Sequence, residues 1–445
     1  MKKSAAAYAV LICILAGIFT GITGCVGQYE NETEFTEETL EDMESLSPIE
    51  TDEILPDGSA ETSSVNTVPA VNLTRNLLPQ NTDAADITDE DAIAWTRFAL
   101  SLAAQQDGQF LISPVSVLSA FAMFANGADG DTLAQTEAVL GQDREALNRT
   151  VQSYTAKNGS KISLANSVWF RSYGFEPDQG FLQTAADCFG ADLFSAPFDS
   201  STVNDVNNWI SEKTGGMIPQ MIDRIRPDTV MYLINAVYFE HQWERMYEGK
   251  DRGTFTASDG KVQEVSMLES VEELYFEDGH AVGFAKPYLW CGYRFIALLP
   301  EEGMTPAEYL AQLEAEELYA MLQNPQNLPV RTVTPMFQTE YDADLIENLK
   351  SLGMTDVFDS VKADLHGLGT ASGNLYVSDV KHKAVMKLDS MGTKAAAATL
   401  MGIVAECEYI APDAEKTVIL DKPFVYMIAD STGIPLFIGT LESVE

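Results

Sequence analysis

The chain has 445 residues, 46% hydrophobic and 21% charged, and its 67 Asp and Glu against 27 Lys and Arg give a net charge of −40. That length buries a full core, while the charge argues against nucleic acid, heparin-type polyanions and anionic lipid as partners, because each requires a cationic face. Five Cys without a CxxC and only four His leave little material for a structural zinc site or a disulfide framework.

Lys2 and Lys3 precede an uncharged stretch, Ser4 to Gly24, with the charged start and apolar middle of a secretory signal. It closes on Ile22-Thr23-Gly24-Cys25, which resembles the bacterial lipobox. That resemblance implies a signal peptide over 1–24 and a lipidated Cys25, a lipid-anchored protein at the bacterial envelope surface whose membrane contact is the anchor alone. An uncleaved anchor or a secreted product is the alternative, and all of these lie outside the cytoplasm. From Val26 to about Gln80 acidic residues run from Glu30 to Glu61 against one cation, Arg75, with no apolar periodicity. Residues 25–84 therefore read as an extended, self-repelling acidic tether. Residues 85–445 read as one domain.

Within it, Thr88 and Asp91 form a capping-box signature ahead of Trp95, Phe98, Ala99 and Leu102, so a helix opens the domain. Asp129-Gly130-Asp131 hints at a calcium loop but lacks the later ligands and reads as a turn. Lys161 to Phe170 alternates Ile162, Leu164, Val168 and Phe170 on one side, as a strand does. Tyr232 to Phe239 is apolar on both faces, the pattern of a central strand covered twice. Further strand-like runs are Tyr293 to Leu299, Lys383 to Leu388, Val418 to Leu420, Phe424 to Ile428 and Pro435 to Gly439. The sum is an α+β domain with large sheets.

Support for catalysis is missing. There is no GxSxG, GxxxxGK[ST] or HExxH, and no GxGxxG on a strand-turn-helix. His241, His280, His366 and His382 have no nucleophile motif beside them. One late segment is unusual instead: Gly392-Thr393-Lys394-Ala395-Ala396-Ala397-Ala398-Thr399. Four alanines suggest helix, but as a strand Thr393, Ala395, Ala397 and Thr399 share one face, each small enough to slide into a packed core.

At this point the domain resembles a serpin. The resemblance rests on Phe110-Leu111-Ile112-Ser113-Pro114-Val115-Ser116, Gly127 to Thr132, Val206 to Thr214, Leu233 to Phe239 with Trp243 beyond, and Leu352 to Phe358. It continues through Val380 to Ala384, the segment Gly392 to Thr399, Asp421 to Phe424 and Pro435 to Gly439, all in order and at family spacing. It implies a fold of three β-sheets with about eight to nine helices and an exposed reactive-centre loop. The implied activity is suicide inhibition, without cofactor or metal, by a monomer that is no enzyme. A serine or a cysteine protease cuts the loop, and the acyl-enzyme is trapped when the cut loop enters the large sheet as a new strand. The alternative is a serpin scaffold used for surface binding without inhibition.

By the same resemblance, Gly392, Thr393, Lys394, Ala395, Ala396, Ala397, Ala398 and Thr399 are the loop hinge. Ser113, Ser116, Asn235 and His382 match the shutter beneath the opening sheet, and Trp243 matches the breach tryptophan at its head. Two departures come together: Ser390 and Met336 stand where the family often carries an acid and a lysine in a salt bridge, so no buried charge is stranded. Lys394 replaces the usual hinge Glu at a position expected to face solvent. Counting from Gly392 makes Glu406-Cys407 the scissile bond, whereas counting back from Asp421 lands near Pro412-Asp413, because the loop is longer than usual. Glu406 fits a glutamate-specific protease, Val404 and Ala405 elastase-like enzymes and Tyr409 a chymotrypsin-like one, with subtilisin-like proteases a further class. Cys407 reads as a small loop residue or as a redox-sensitive thiol. Cys188 and Cys291 read as buried thiols or as a bridge.

Overall fold

A computed structural model of the chain describes residues 69–79, 85–159, 162–226, 229–393 and 413–444. Thr88 caps α1 (Asp89–Ala103) with the expected box: its hydroxyl accepts from the Asp91 N–H, and the Asp91 carboxylate accepts from the Thr88 N–H at 3.0 Å. The stripe behind that cap, Trp95, Phe98, Ala99 and Leu102, is buried. In α2 (Pro114–Ala125) every residue is buried, as an apolar surface all round the helix requires. Asp129 is a turn residue and N-cap, its carboxylate accepting from Gly130 N–H at 2.8 Å where Gly130–Leu140 begins.

Among the described residues there are nine α-helices and three sheets, the α+β arrangement expected. One sheet has nine strands, including the wholly buried Phe424–Ala429 and Pro435–Leu441, and a short pair is formed by Phe175–Pro177 and Gly369–Ala371. The main sheet has eight strands: β1 (Val71–Asn72), β2 (Ser163–Arg171), β3 (Asp192–Ala196), β4 (Met231–Tyr238), β5 (His241–Gln242), β6 (Phe337–Asp344), β7 (Asp379–Leu388) and β8 (Gly392–Thr393). They lie in the order β1-β3-β2-β4-β7-β8-β5, with β6 on the other side of β7. Helix α2 packs beneath β2 and β4 at the middle of this sheet.

Residues 69–79 lie inside the stretch read as tether, yet the structure docks them on the main sheet. β1 pairs antiparallel with β3, Val71 opposite Ser195 and Asn72 opposite Phe194. Asn72 Nδ2 donates to Asp192 Oδ1 at 2.9 Å, Thr74 Oγ1 to Ala191 O at 3.0 Å, and Gln183 Nε2 to Leu78 O at 3.1 Å. A two-residue edge strand held by hydrogen bonds has no hydrophobic period to read, so composition hides it. The strand foreseen at Lys383 to Leu388 starts earlier, at Asp379, because Asp379 and Val380 are already buried against β4.

Candidate functional site

The main sheet is irregular at its centre. β4 and β7 run parallel and pair directly from Asp379–Tyr232 to Lys383–Ala236. On its other edge β7 pairs antiparallel with β6 over its length, Phe337 opposite Leu388 to Asp344 opposite Lys381. Above Lys383 the two central strands part company. Among the described residues no strand pairing joins 384–387 to 237–240. At the head of that seam lies β8, between β7 and β5: Thr393 is opposite Leu388 on one side and His241 on the other. A tight reversal brings it there, with Asp389 N–H donating to Gly392 O at 3.0 Å and Met391 N–H to Asp389 Oδ1 at 2.8 Å. β8 is therefore antiparallel to both β7 and β5 at the head of the seam.

Two hinge residues are fixed by this geometry. A Cβ on Gly392 would stand 2.2 Å from His241 O, so only glycine allows β8 to lie against β5. Thr393 is 2% exposed and its hydroxyl meets the hydroxyl of Tyr288. Trp243 completes the clamp: its indole N–H donates to Asp389 O at 2.9 Å, its backbone N–H to Met391 O at 3.1 Å, and its ring stacks on Tyr288 at 4.5 Å. Trp243, expected at the head of the sheet, contacts Asp389 and Met391 just ahead of β8. Tyr288 carries no distinguishing sequence signal, since a tyrosine in an apolar run reads as core.

Halfway down the seam is a buried polar cluster. Asn235 Nδ2 donates to Ser116 O at 2.6 Å and to Asn166 Oδ1 at 2.7 Å, and Ser116 Oγ donates to Asn235 Oδ1. Ser113 N–H donates to His382 Nε2 at 3.2 Å, which leaves the proton on Nδ1, 3.4 Å from Asn235 Oδ1. The ring is fully buried and neutral, burial holding its pKa down at about 4. These contacts tie α2 to β2, β4 and β7 where β4 and β7 still touch, and all four expected shutter residues meet there.

Ser113 does so through its backbone, however, and its hydroxyl finds no partner. Asn166, on β2 opposite Asn235, was not foreseen. Its signal was present: it is the polar break in the Leu164, Asn166, Val168 alternation. Met336 packs on the core with its N–H donating to Ser266 O at 2.8 Å, and no charge sits at either Met336 or Ser390.

The other site assignments, Cys25, Lys394, Ala395, Ala396, Ala397, Ala398, Thr399, Glu406, Cys407 and Tyr409, lie outside the described residues. No disulfide joins Cys188 to Cys291. Burial raises the Cys188 thiol pKa.

The main sheet thus has two parallel central strands, a buried polar cluster beneath their join and a loop base seated at its head, and comparison with known proteins identifies the family. The model of the serpin (serine protease inhibitor) family matches residues 91–444. Leukocyte elastase inhibitor of Bos taurus is 33% identical over 377 residues, covering 78% of this chain and 98% of its own length. Glia-derived nexin of Homo sapiens is 30% identical, covering 74% and 86%. Among solved structures, the thermophilic serpin Tengpin in its native state matches with TM-score 0.78 at 41% identity, covering 84% of this chain and all of that one. The latent state of Tengpin matches at 0.72 and 40% identity, over 82% of this chain and all of that one. The chain belongs to the serpin family. Its relatives include protease inhibitors.

Proposed function

We propose that this protein traps proteases irreversibly, by inserting its cut reactive-centre loop between β4 and β7. The observation that carries the reading is the parallel β4/β7 ladder with Thr393 already seated above it. A strand entering there runs antiparallel to both neighbours and exchanges one parallel ladder for two antiparallel ones, the more stable pairing per residue. Continuing the Thr393 register places Ala395 between Met386 and Phe239, Ala397 between Ala384 and Val237, and Thr399 between His382 and Asn235. Met386, Ala384, His382, Phe239, Val237 and Asn235 are buried, so the small residues enter the core face. Lys394 comes opposite the exposed Lys387 and stays in solvent. Thr399 arrives inside the shutter, so the Asn235–His382 contact must be remade around a new hydroxyl. Insertion stores no bond energy; it completes a sheet, and inhibition succeeds when completion outruns deacylation.

The scissile bond in this reading is Glu406-Cys407, with Tyr409 the alternative. The named elastase inhibitors among its relatives, together with Val404 and Ala405, support an elastase-like target, and Glu406 supports a glutamate-specific one. The Lys2 to Cys25 leader supports a lipid-anchored chain working at the envelope surface. The chain is incubated with glutamate-specific, elastase-like, chymotrypsin-like and subtilisin-like proteases, then run on denaturing gels with mass spectrometry. The expected result is a complex that survives denaturation and releases peptide 407–445. Clean cleavage by every protease without a complex supports the scaffold function instead.

A further inference from the structure

A lysine is buried within the nine-stranded sheet. Lys286 sits in Ala281–Pro287 and its side chain is 1% exposed; Glu272, on Val262–Glu277, is 3% exposed. Lys286 Nζ donates to Glu272 Oε1 at 2.6 Å. The same oxygen accepts from Ser270 Oγ at 2.6 Å, and that hydroxyl lies 3.0 Å from Thr332 Oγ1. The ammonium also stands over two rings, 4.2 Å from the centroid of Tyr247 and 5.7 Å from that of Trp243. Taking both ions out of water costs more than a pair of this kind returns, and an apolar pair of similar volume commonly folds as well or better. Stability alone does not account for it.

Its neighbours do. Trp243 meets Tyr247 edge-on at 5.8 Å and stacks face-on against Tyr288 at 4.5 Å. Trp243 and Tyr288 are the two side chains that hold the loop base at Asp389 and Thr393. A continuous set of contacts thus runs from the buried ion pair through two rings to the first residue of the inserting strand.

We propose that the Lys286–Glu272 pair is a positioning element for loop insertion, fixing Trp243 through its cation–π contact so that Thr393 stays in register between β5 and β7. The inference rests on the insertion mechanism above. A strand that must add residue by residue needs its first pair fixed, and a Trp243 free to tilt lets that pair slip. Glu272 holds the ammonium in place, and Lys286 is the member that stands over the rings, acting on Trp243 directly at 5.7 Å and through the nearer Tyr247 at 4.2 Å.

The test uses the full chain cleaved once in its loop by subtilisin, and follows the rate at which it gains heat resistance. The variants are Lys286→Met, Lys286→Arg and the double change Lys286→Met with Glu272→Gln. The expected result for Lys286→Met is a rate lower by about fivefold, the size of a modest cation–π contact near the outer limit of its range. Lys286→Arg, which keeps a cation over the ring, recovers the parental rate within about twofold. The double variant regains the parental urea midpoint, because no charge is stranded, while its insertion stays slow. Full recovery of both midpoint and rate in the double variant overturns the proposal, as does a parental rate in Lys286→Met. A parent chain that gains no heat resistance on cleavage overturns the insertion mechanism itself, and a parent that gains it at the same rate as every variant overturns this inference alone.

Discussion

Replacing Thr393 by Arg is expected to turn this protein from a trap into a substrate. The residue is 2% exposed, wedged between Leu388 and His241, and its hydroxyl meets Tyr288. A guanidinium in place of a small side chain that meets the buried Tyr288 hydroxyl is either buried at a cost of several kcal/mol or displaces β8 from the head of the seam. Each outcome slows the first step of insertion while cleavage at the loop proceeds untouched. A barrier raised by about 3 kcal/mol slows insertion by about two orders of magnitude, more than enough for water to release the acyl-enzyme. The number of inhibitor molecules consumed per protease trapped should rise at least about tenfold on the same scale, and the denaturation-resistant complex should vanish from gels. Lys394→Ala is the control, since that side chain faces solvent in the inserted strand, and it should leave the stoichiometry unchanged. A Thr393→Arg chain that still traps protease one for one would mean that insertion does not begin at Thr393.

The second large effect is a loss of stability on acidification. His382 is fully buried and neutral, with Nε2 accepting from Ser113 N–H, and burial holds its pKa down at about 4. In the unfolded chain the same ring titrates near 6.5. The unfolded state therefore takes up the proton first, so the contribution is present in full above about pH 6.5 and is lost as pH falls towards 4. The total is about 3 kcal/mol, of which about 2 is lost by pH 5. Protonation also removes the acceptor for Ser113 N–H and sets a cation at the join of β4 and β7. Urea midpoints at pH 7.5 and 5.0 for the parent and for His382→Gln isolate this term from the many surface carboxylates. The parent should lose about 2 kcal/mol more than the variant between the two pH values. Equal losses would show that His382 is not the titrating group.

How much of this was legible depends on what each residue has to do. The alternation Thr393, Ala395, Ala397, Thr399 is readable because a strand that enters a closed core, as proposed here, must be small on one face, and that requirement falls on alternate positions. Trp243, Ser116, Asn235 and His382 were placed by resemblance to a family, and the structure brings each to the seam. The Thr88–Asp91 cap was readable because it is local. Three features were not. Asn166 joins the shutter from a strand that looks merely apolar, and only its interruption of the alternation betrays it. Lys286 and Glu272 are 14 positions apart on neighbouring strands, and each alone reads as surface charge. Residues 69–79 dock through hydrogen bonds made by Asn72, Thr74 and Leu78, a polar composition that a tether shares. Long-range pairing and burial of charge are properties of the folded sheet, and a single sequence carries no period for either.

The central claim is that β4 and β7 accept a strand between them. Thermal unfolding measured before and after one cut within 394–412 tests it most directly. The account predicts that the cut chain, with both fragments retained, unfolds at a higher midpoint, by about 1–2 °C for each kcal/mol that new sheet and burial add to a domain of this size. A cut chain that unfolds at or below the midpoint of the intact protein would contradict it, since a loop that merely hangs open leaves the parallel β4/β7 ladder as it was.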